Sequence, residues 1–203
     1  MAKIEYLLLG AGGHAKVVIS IVTNFGGKIL GIFDDNLNKK EHHGLQILGK
    51  YDAKKYKNSK IIVCVGSNIE RKKIVSKISH DFFTAIDKSS IVDKNSKIGL
   101  GSVIAHNSVI QSDVQIGKHC IINTSSSVDH DCKVDDFVHV GPGVTICGNV
   151  KVGSCSLIGA GSIIIPNIKI GKNVIVGAGS VVLKDIPDNV KVVGSPAKKL
   201  TDE

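Results

Sequence analysis

Apolar residues recur at a fixed spacing of six over the second part of the chain. Every sixth residue from Ile86 to Val182 is Ile or Val, and a small or aliphatic residue such as Ser102, Cys132 or Val150 follows each one four places later. This spacing matches neither the helical period of 3.6 nor the strand period of 2. Hexapeptide repeats are typical of a β-helix, in which coils stack and bury a continuous aliphatic column.

The repeats fall into three classes when taken three at a time, which predicts an 18-residue coil with three unlike faces. Two columns hold Asn, Asp, Ser or Gly: Asn95, Asp113, Asp131, Asn149, Asn167 and Asp185, and then Asn107, Ser125, Gly143, Gly161 and Gly179. These residue types, Asn, Asp and Gly above all, suit the left-handed backbone angles of tight corners. A mostly Lys column is expected to face solvent: Lys97, Gln115, Lys133, Lys151 and Lys169. An outward apolar column is expected to be covered, most simply by another subunit: Val103, Ile121, His139, Leu157 and Ile175.

Residues 1–85 have a different pattern, which predicts a small parallel α/β unit. The predicted strands are Glu5–Leu9, Lys28–Phe33, Lys60–Val65 and Phe82–Ile86, and the predicted helices are 15–23 and 69–78, the second capped by Asn68. The polar connection 36–60 is expected to be a loop. The prediction is therefore a Rossmann-like α/β domain, residues 1–85, followed by a β-helix with an irregular C-terminal cap, residues 86–203.

The first predicted strand runs into a glycine-rich turn, Gly10 to Ala15, that fits the G-x-G-x-x-A pattern. Asp34 follows about twenty residues later, as a ribose-binding carboxylate does. Gly66 ends a third strand, so three strand ends converge at one edge of the sheet. Because a dinucleotide fold usually has two such halves, the pattern favours a nucleoside diphosphate over NAD. A purely structural turn is the alternative.

Composition narrows the class of protein further. Aromatic residues make up 4% and Trp is absent, so stacked Ile and Val must supply the core. The net charge of +8 comes from dispersed lysines without interleaved aromatics, which argues against nucleic acid and for attraction of small anions. The five cysteines show no C-x-x-C spacing and suit a reducing compartment. No signal peptide or membrane span is apparent, so a cytoplasmic protein is expected.

His130 is the candidate catalytic residue, because it lies at a predicted corner between Asp129 and Asp131. A carboxylate beside an imidazole raises its basicity and fixes its orientation, as a general base requires. The alternative is a merely polar corner, and Asp131 is already explained by its corner column. His139 fits either a ligand contact or a satisfied interface histidine.

Two further histidines, His106 and His119, have no suggestive neighbours in the sequence, and we expect them at the surface.

Several segments resemble the bacterial sugar O-acyltransferases labelled sialic-acid O-acetyltransferase-like, whose best-understood members are N-acetyltransferases of nucleotide-linked amino sugars. The segments are 10–16, 33–35, 65–68, 122–132, 137–140 and 194–198, together with the hexads. The resemblance implies a left-handed parallel β-helix, although parallel crossovers are usually right-handed. It also implies a homotrimer, acetyl-CoA in grooves between neighbouring coil domains, and a nucleotide held by the small domain.

The resemblance further implies residue roles. His130 is the base and Asp131 tunes it, although some relatives have the longer Glu at that position. The implied cofactor contacts are His139, Gly148, Ala160 and Ala178. The implied nucleotide-sugar contacts are Gly12, Gly13, His14, Asp34, Asp35 and Gly66. No metal is expected.

The expected function is acetyl-CoA-dependent N-acetylation of the C4 amino group of a nucleotide-linked amino sugar, by direct transfer. O-acetylation of a sialic-acid-type or other surface-polysaccharide sugar is an alternative within the same class, and a non-catalytic nucleotide-binding scaffold is one from another class. A metal-dependent hydrolase is disfavoured, because several histidines would have to converge on one metal and His130 and His139 lie on different predicted faces.

Overall fold

The computed structural model describes residues 4–200, which form a small α/β unit followed by a parallel β-helix. The α/β unit contains β1 (Glu5–Leu9), α1 (Gly13–Asn24), β2 (Lys28–Phe33), β3 (Glu41–His42), β4 (Leu45–Gly49), β5 (Lys60–Val63) and α2 (Asn68–Val75). Its sheet has the order β3-β4-β2-β1-β5, with only β3 antiparallel to its neighbour. The predicted α/β fold is therefore confirmed. Among the described residues, no helix is long and apolar enough to cross a membrane.

Three local predictions for this unit were wrong. Of the predicted strand Phe82–Ile86, Phe82 forms only an isolated bridge with Ile61, and Ala85–Ile86 pairs with Val103–Ile104 of the β-helix. The expected loop 36–60 contains the hairpin β3–β4, whose half-buried Leu45 and Ile47 flank the exposed Gln46, a strand-like alternation that the surrounding lysines obscure. The cap of α2 is Ser67, whose hydroxyl accepts a hydrogen bond from the Glu70 N–H, and Asn68 is the first residue of the helix. Asn68 instead turns its amide towards the β-helix.

The β-helix is built from two-residue strands that stack in parallel with an 18-residue register. Face 1 contains β7 (Ile91–Val92), β10 (Val109–Ile110), β13 (Ser127–Val128), β16 (Thr145–Ile146), β19 (Ile163–Ile164) and β22 (Val181–Val182). Face 2 contains β8 (Lys97–Ile98), β11 (Gln115–Ile116), β14 (Lys133–Val134), β17 (Lys151–Val152) and β20 (Lys169–Ile170). Face 3 contains β6 (Ala85–Ile86), β9 (Val103–Ile104), β12 (Ile121–Ile122), β15 (His139–Val140), β18 (Leu157–Ile158), β21 (Ile175–Val176), β23 (Lys191–Val193) and β24 (Lys198–Lys199). The antiparallel pair β23–β24 caps the last coil of this left-handed β-helix.

In the parallel strands of the three faces the second residue points inward, and these residues form the aliphatic column that the spacing of six predicts. Ile122, Val128, Val140 and Ile146 are all fully buried in one cluster. The buried serines of the smaller inward positions keep their hydroxyls satisfied by donating to backbone carbonyls, as Ser156 does to Gly171 at 2.7 Å.

The chain turns through a left-handed residue at each corner of the prism. The corner between faces 3 and 1 uses the whole predicted column, including Gly143. The corner between faces 1 and 2 uses the predicted column from Asp113 to Asn167, including Asp131, but Asn95 and Asp185 at its two ends do not have positive φ angles. At the corner between faces 2 and 3, positive φ angles occur instead at Gly101, His119, Phe137, Cys155 and Asn173. Bulky residues are uncommon in this conformation, at a cost of roughly 1–2 kcal/mol each, so this corner must be stabilised by its surroundings.

The outward apolar column on face 3, which was expected to be covered by another subunit, is covered in part by the chain's own α/β unit. Val103 is 1% exposed because it joins the cluster of Ala15 and Val18 on α1, so the chain's own α/β unit covers this end of the face. Ile121 is equally buried, whereas Ile175 near the other end is 40% exposed. Another subunit is therefore not needed to bury the first half of the column.

Substitutions in two neighbouring strands test the assignment of inward and outward positions. We expect Ile146→Ala in β16 to lower the free energy of unfolding by about 2–5 kcal/mol, because it removes fully buried methyl groups from a packed column. The exposed Lys151 in β17, on face 2, provides the control, and Lys151→Ala is expected to change stability by no more than about 0.5 kcal/mol. Urea denaturation followed by circular dichroism measures both, and equal effects would contradict the assignment.

Candidate active site

Helix α2 attaches the α/β unit to the β-helix through two buried polar side chains. The Asn68 Nδ2 amide donates to the carbonyls of Cys155 and Ser156 at 3.1 and 2.9 Å. The Arg71 guanidinium donates from Nε to the His119 carbonyl at 2.8 Å and from Nη2 to the Phe137 carbonyl at 3.1 Å. The residues that supply these carbonyls include three of the left-handed ones at the corner between faces 2 and 3, so this contact is what stabilises that corner.

The surface positions expected for His119 and His106 were wrong, because both lie at the junction of the two units. The His119 ring is buried, stacks on Phe137 at 5.2 Å between ring centroids and meets the edge of Phe82 at 4.5 Å. Burial, and then the charge of Arg71, lower the pKa of His119 to about 4. His106 is half-buried, with Nε2 3.3 Å from an Asp87 carboxylate oxygen and 3.1 Å from the Ser20 hydroxyl.

His139 connects the loop after β5 to face 3. Its Nδ1 lies 3.3 Å from the Gly66 carbonyl, and its Nε2 lies 3.2 Å from the Asn123 Nδ2 amide. Since the amide donates, Nε2 accepts and Nδ1–H donates to Gly66, which requires a neutral ring. Burial, and then the charge of Arg71, lower the pKa of His139, in agreement with that tautomer. The Asn123 Oδ1 in turn accepts from the Thr124 N–H at 2.8 Å.

His14 lies in the first turn of α1, close to His139. Its Nε2 is buried and has no hydrogen-bond partner among the described residues. Burial, followed by the neighbouring His139 and Arg71, lowers the pKa of His14 to about 4. Two neutral imidazoles and one buried guanidinium therefore meet where the glycine turn of the α/β unit approaches face 3.

The carboxyl ends of β1, β2 and β5 border a cavity of about 490 Å³, as the convergence of strand ends predicted. It is lined by Leu9, Gly10, Phe33, Asp34, Asp35, Lys50, Tyr51, Val65, Ile74, Lys77 and Ile78. Its size falls within the range of small-molecule sites. Of the six predicted nucleotide-sugar residues, Asp34 and Asp35 line this cavity, whereas His14 and Gly66 face the junction with the β-helix.

Asp34 holds the glycine turn in place. Its Oδ2 accepts from the Ala11 N–H at 2.6 Å, and its Oδ1 accepts from the Asn36 N–H at 2.9 Å. Lys39 Nζ donates to the Ala11 carbonyl at 2.8 Å and braces the same turn from the other side. Gly12 and Gly13 have open space where a Cβ atom would lie, so their backbone is accessible at the start of α1.

His130 lies at the corner between faces 1 and 2 with its side chain 60% exposed. Its Nδ1 is 2.8 Å from an Asp131 carboxylate oxygen, and its backbone N–H donates to Asp129. The hydrogen bond with Asp131, and then the charge of Asp129, raise the pKa of His130. The shorter Asp thus reaches the imidazole, fixes the Nδ1–H tautomer and leaves the Nε2 lone pair free to accept a proton.

Gly148 occupies the same corner one coil further on and makes room for that imidazole. A Cβ atom at Gly148 would lie 2.7 Å from His130 Cε1 and 2.8 Å from Nε2. The expected cofactor contact is therefore a neighbour of the candidate base. Ala160 and Ala178 are exposed at a different corner, between faces 3 and 1, so one chain does not bring them together with His130.

The His130–Asp131 pair predicts a change in ionisation that can be measured directly. We expect Asp131→Asn to lower the pKa of His130 towards its ordinary value, because an amide oxygen lacks the charge of the carboxylate. Asn suits the left-handed backbone at this position, as Asn149 does one coil further on. An NMR titration of the ring protons measures the shift, with Asp135→Asn as the control at a carboxylate near Lys133. An unchanged His130 pKa in Asp131→Asn would contradict the pairing.

Comparisons with known proteins match both parts of the chain. Residues 5–78 match the family described as the PglD N-terminal domain, and residues 149–184 match the bacterial transferase hexapeptide family. A curated relative, an uncharacterized protein of Acanthamoeba polyphaga mimivirus, is 37% identical over 99 residues. That match covers 48% of this chain and only 20% of the relative's length.

Solved structures extend the similarity to nearly the full length. A variant of perosamine N-acetyltransferase from Caulobacter crescentus, solved with CoA and GDP-perosamine, is 33% identical, with a TM-score of 0.94 over 98% of this chain and 97% of that one. The acetyltransferase domain of PglB from Neisseria gonorrhoeae, solved with acetyl coenzyme A, is 32% identical, with a TM-score of 0.91 over 98% of this chain and all of that one. WeeI from Acinetobacter baumannii is 27% identical, with a TM-score of 0.86 over 97% of this chain and 100% of that one. Given a shared fold, near-complete coverage and identity above 30%, the chain belongs to the left-handed β-helix N-acetyltransferase family.

Proposed function

We propose that this protein is an acetyl-CoA-dependent N-acetyltransferase that acts on the C4 amino group of a nucleotide-linked amino sugar, with His130 as general base. The observation that carries the proposal is the exposed His130 imidazole, whose Nδ1 is fixed by Asp131 at 2.8 Å while Nε2 remains free. The similarity to proteins solved with CoA, acetyl-CoA or GDP-perosamine supports the classes of both substrates.

In the proposed reaction, the sugar amine attacks the thioester carbonyl carbon directly. The new N–C bond forms as Nε2 of His130 takes a proton from the amine, and a backbone N–H of the coil stabilises the oxyanion. The C–S bond then breaks, and the CoA thiolate leaves and recovers the proton from His130. Asp131 keeps Nδ1 protonated and stabilises the imidazolium between these steps.

The α/β unit supplies the proposed nucleotide site. Asp35 lines the cavity at the strand ends with an exposed carboxylate, and Asp34 braces the glycine turn there. The accessible backbone of Gly12 and Gly13 at the start of α1 suits the diphosphate. The buried Nε2 of His14, which has no hydrogen-bond partner within residues 4–200, is a hydrogen-bonding group for the substrate.

The proposed catalytic unit is a homotrimer. His130 and the proposed pantetheine contacts Ala160 and Ala178 lie at different corners of the same prism. Face 1 joins these corners, and its outward residues are uncharged, from Ile91 to Val181. Packing of face 1 around a three-fold axis brings the His130 corner of one copy beside the Ala160 corner of the next. Acetyl-CoA then lies in the cleft between them, with His139 and Gly148 near its reactive end.

Acetyl-CoA offered with UDP-, GDP- and dTDP-linked 4-amino sugars tests the proposal through release of the CoA thiol. We expect thiol release with one of these sugars and none with its 4-hydroxy counterpart, and His130→Ala is expected to lower kcat by about 10² to 10⁴. The control Lys184→Ala truncates an exposed residue in the same column, three coils away. Release only with hydroxyl sugars would point to O-acetylation, no release with any sugar to a scaffold, and a normal rate in His130→Ala would exclude this base.

The expected dependence of kcat on pH follows from the raised pKa of His130. Below that pKa the imidazole is protonated and cannot take the proton of the amine, so kcat is expected to rise with pH through it. In Asp131→Asn the rise is expected at lower pH, and the plateau is lower because the base is weaker and less well oriented. An unshifted profile would show that another group controls the rate.

Gly148→Ala tests the packing beside the base without removing it. The new methyl group would lie 2.7 Å from His130 Cε1, so the imidazole must move away from its place above Gly148. We expect kcat to fall by about 10- to 100-fold, because small misplacements of a catalytic group are costly. The melting temperature is expected to change little, since the displaced ring is exposed. Pro166→Ala, one coil further along the same column, is the control, and equal kcat values in both variants would contradict the prediction.

A further inference from the structure

Arg71 is the largest side chain that the structure buries almost completely, at 1% exposure, and its partners are all carbonyl oxygens. Nη1 donates to the carbonyls of Val65 and Gly66 at 2.9 and 3.1 Å, and Nη2 donates to Asn68 Oδ1 at 2.8 Å. Nε and the second Nη2 bond reach the β-helix at His119 and Phe137. A buried guanidinium is usually paired with a carboxylate, yet these five contacts to neutral oxygens leave its positive charge uncompensated.

Arg71 also contacts the loop after β5, and these contacts are not needed to attach α2 to the β-helix. The Gly66 carbonyl accepts from both Arg71 Nη1 and His139 Nδ1. From His139 the chain of hydrogen bonds continues to Asn123 and then to the Thr124 N–H, at the corner between faces 3 and 1. That corner also carries Ala160, two coils further on. Val65, the other loop partner, lines the cavity at the strand ends. One side chain therefore contacts the border of the nucleotide cavity and the group that orients His139.

We propose that Arg71 is a positioning residue of the active site, which acts through the Gly66 carbonyl to hold the His139 ring in place and in its neutral form. This inference rests on the proposed function, in which His139 lies beside the reactive end of acetyl-CoA. It assigns to α2 a part in catalysis beyond joining the two units.

The charged and titratable groups around His139 agree with this role. Arg71 on α2 and His14 on α1 face it across the junction, and the charge of Arg71 is the named electrostatic influence on its pKa. Its hydrogen-bond partners, the Gly66 carbonyl and the Asn123 amide, are uncharged. A nearby positive charge disfavours imidazolium, and a neutral ring is what the hydrogen bonds to Gly66 and Asn123 require.

A cycle of variants distinguishes positioning from simple attachment. In Arg71→Lys the charge is kept but the fork of donors is lost, and we expect kcat to fall by about 10- to 100-fold. In a His139→Gln background the same change is expected to cost much less, because residues that act as one unit are not additive. The control Asn24→Ala removes another hydrogen bond between the units, to Asp87, and is expected to leave kcat unchanged. A folded Arg71→Lys with a normal kcat, or one that costs equally in both backgrounds, would overturn the proposal.

Two NMR measurements give readouts that do not depend on activity. In the unsubstituted protein the His139 ring is expected to carry its proton on Nδ1, and an Nε2–H tautomer would remove the link to Gly66. In Arg71→Met the His139 pKa is expected to rise, whereas in Arg71→Lys it is expected to stay closer to its starting value, and no difference would overturn the electrostatic part. If the unsubstituted protein releases no thiol with any sugar, the proposed function fails, while these spectra still report on the contact itself.

Discussion

The contact between α2 and the β-helix depends on two repeat distances that nearly agree. Residues three apart on an α-helix advance about 4.5 Å along its axis, and stacked β-strands are about 4.8 Å apart. Asn68 and Arg71 are three residues apart, and the carbonyls that they bind belong to successive coils at His119, Phe137 and Cys155. Two side chains one helical turn apart thus bind three successive coils, which gives the α/β unit a defined position along the prism. The left-handed corner residues are in turn held by the side chains that bind them.

Histidines in this chain lie in two opposite environments, and the α2 contact creates one of them. At the junction, burial and a guanidinium without a carboxylate partner favour neutral rings, as in His14 and His139. At the corner between faces 1 and 2, an exposed ring between two carboxylates becomes more basic, as in His130. Groups of the same type whose pKa values are moved apart by their surroundings are suited to different tasks. In the proposed reaction, His130 exchanges the proton, while the junction histidines donate and accept hydrogen bonds without changing charge.

The sequence predicted those features that depend on local spacing. The inward aliphatic column, the Asn, Asp and Gly corners and the exposed Lys column all follow from residues six or eighteen apart, because each coil meets only its neighbours. The His130–Asp131 contact was predictable for a similar reason, since the two residues are adjacent. The polar attachment of α2 was not, because Asn68 and Arg71 have no hydrophobic periodicity, and their partners are carbonyls about fifty to ninety residues away in the chain. The buried His119 and the cover over Val103 were missed because both depend on where α1 and α2 dock. The repeat of six does place His119, Phe137 and Cys155 at a corner of the coil, but these residue types do not indicate a left-handed conformation.

The geometry of the prism also constrains how any cleft can be built. A β-helix coil has little freedom, because a Cβ atom at Gly141 or Gly159 would come within 2.8 Å of the backbone of the next coil. Each corner of the stack is therefore a rigid edge, and a substrate lying along it is enclosed only if another surface approaches that edge. The α/β unit encloses part of face 3 and carries its own cavity, but it leaves the corners at His130 and at Ala160 exposed. No element within residues 4–200 covers these two corners, so in the proposed trimer another copy supplies the second wall of the cleft. In the proposed arrangement, the nucleotide binds to the copy whose α2 positions the cavity. The general base that the sugar amine meets, His130, is held by a rigid coil. Under the proposed function, the buried Arg71 contact, which sets the position of the cavity relative to the prism, therefore serves catalysis as well as stability.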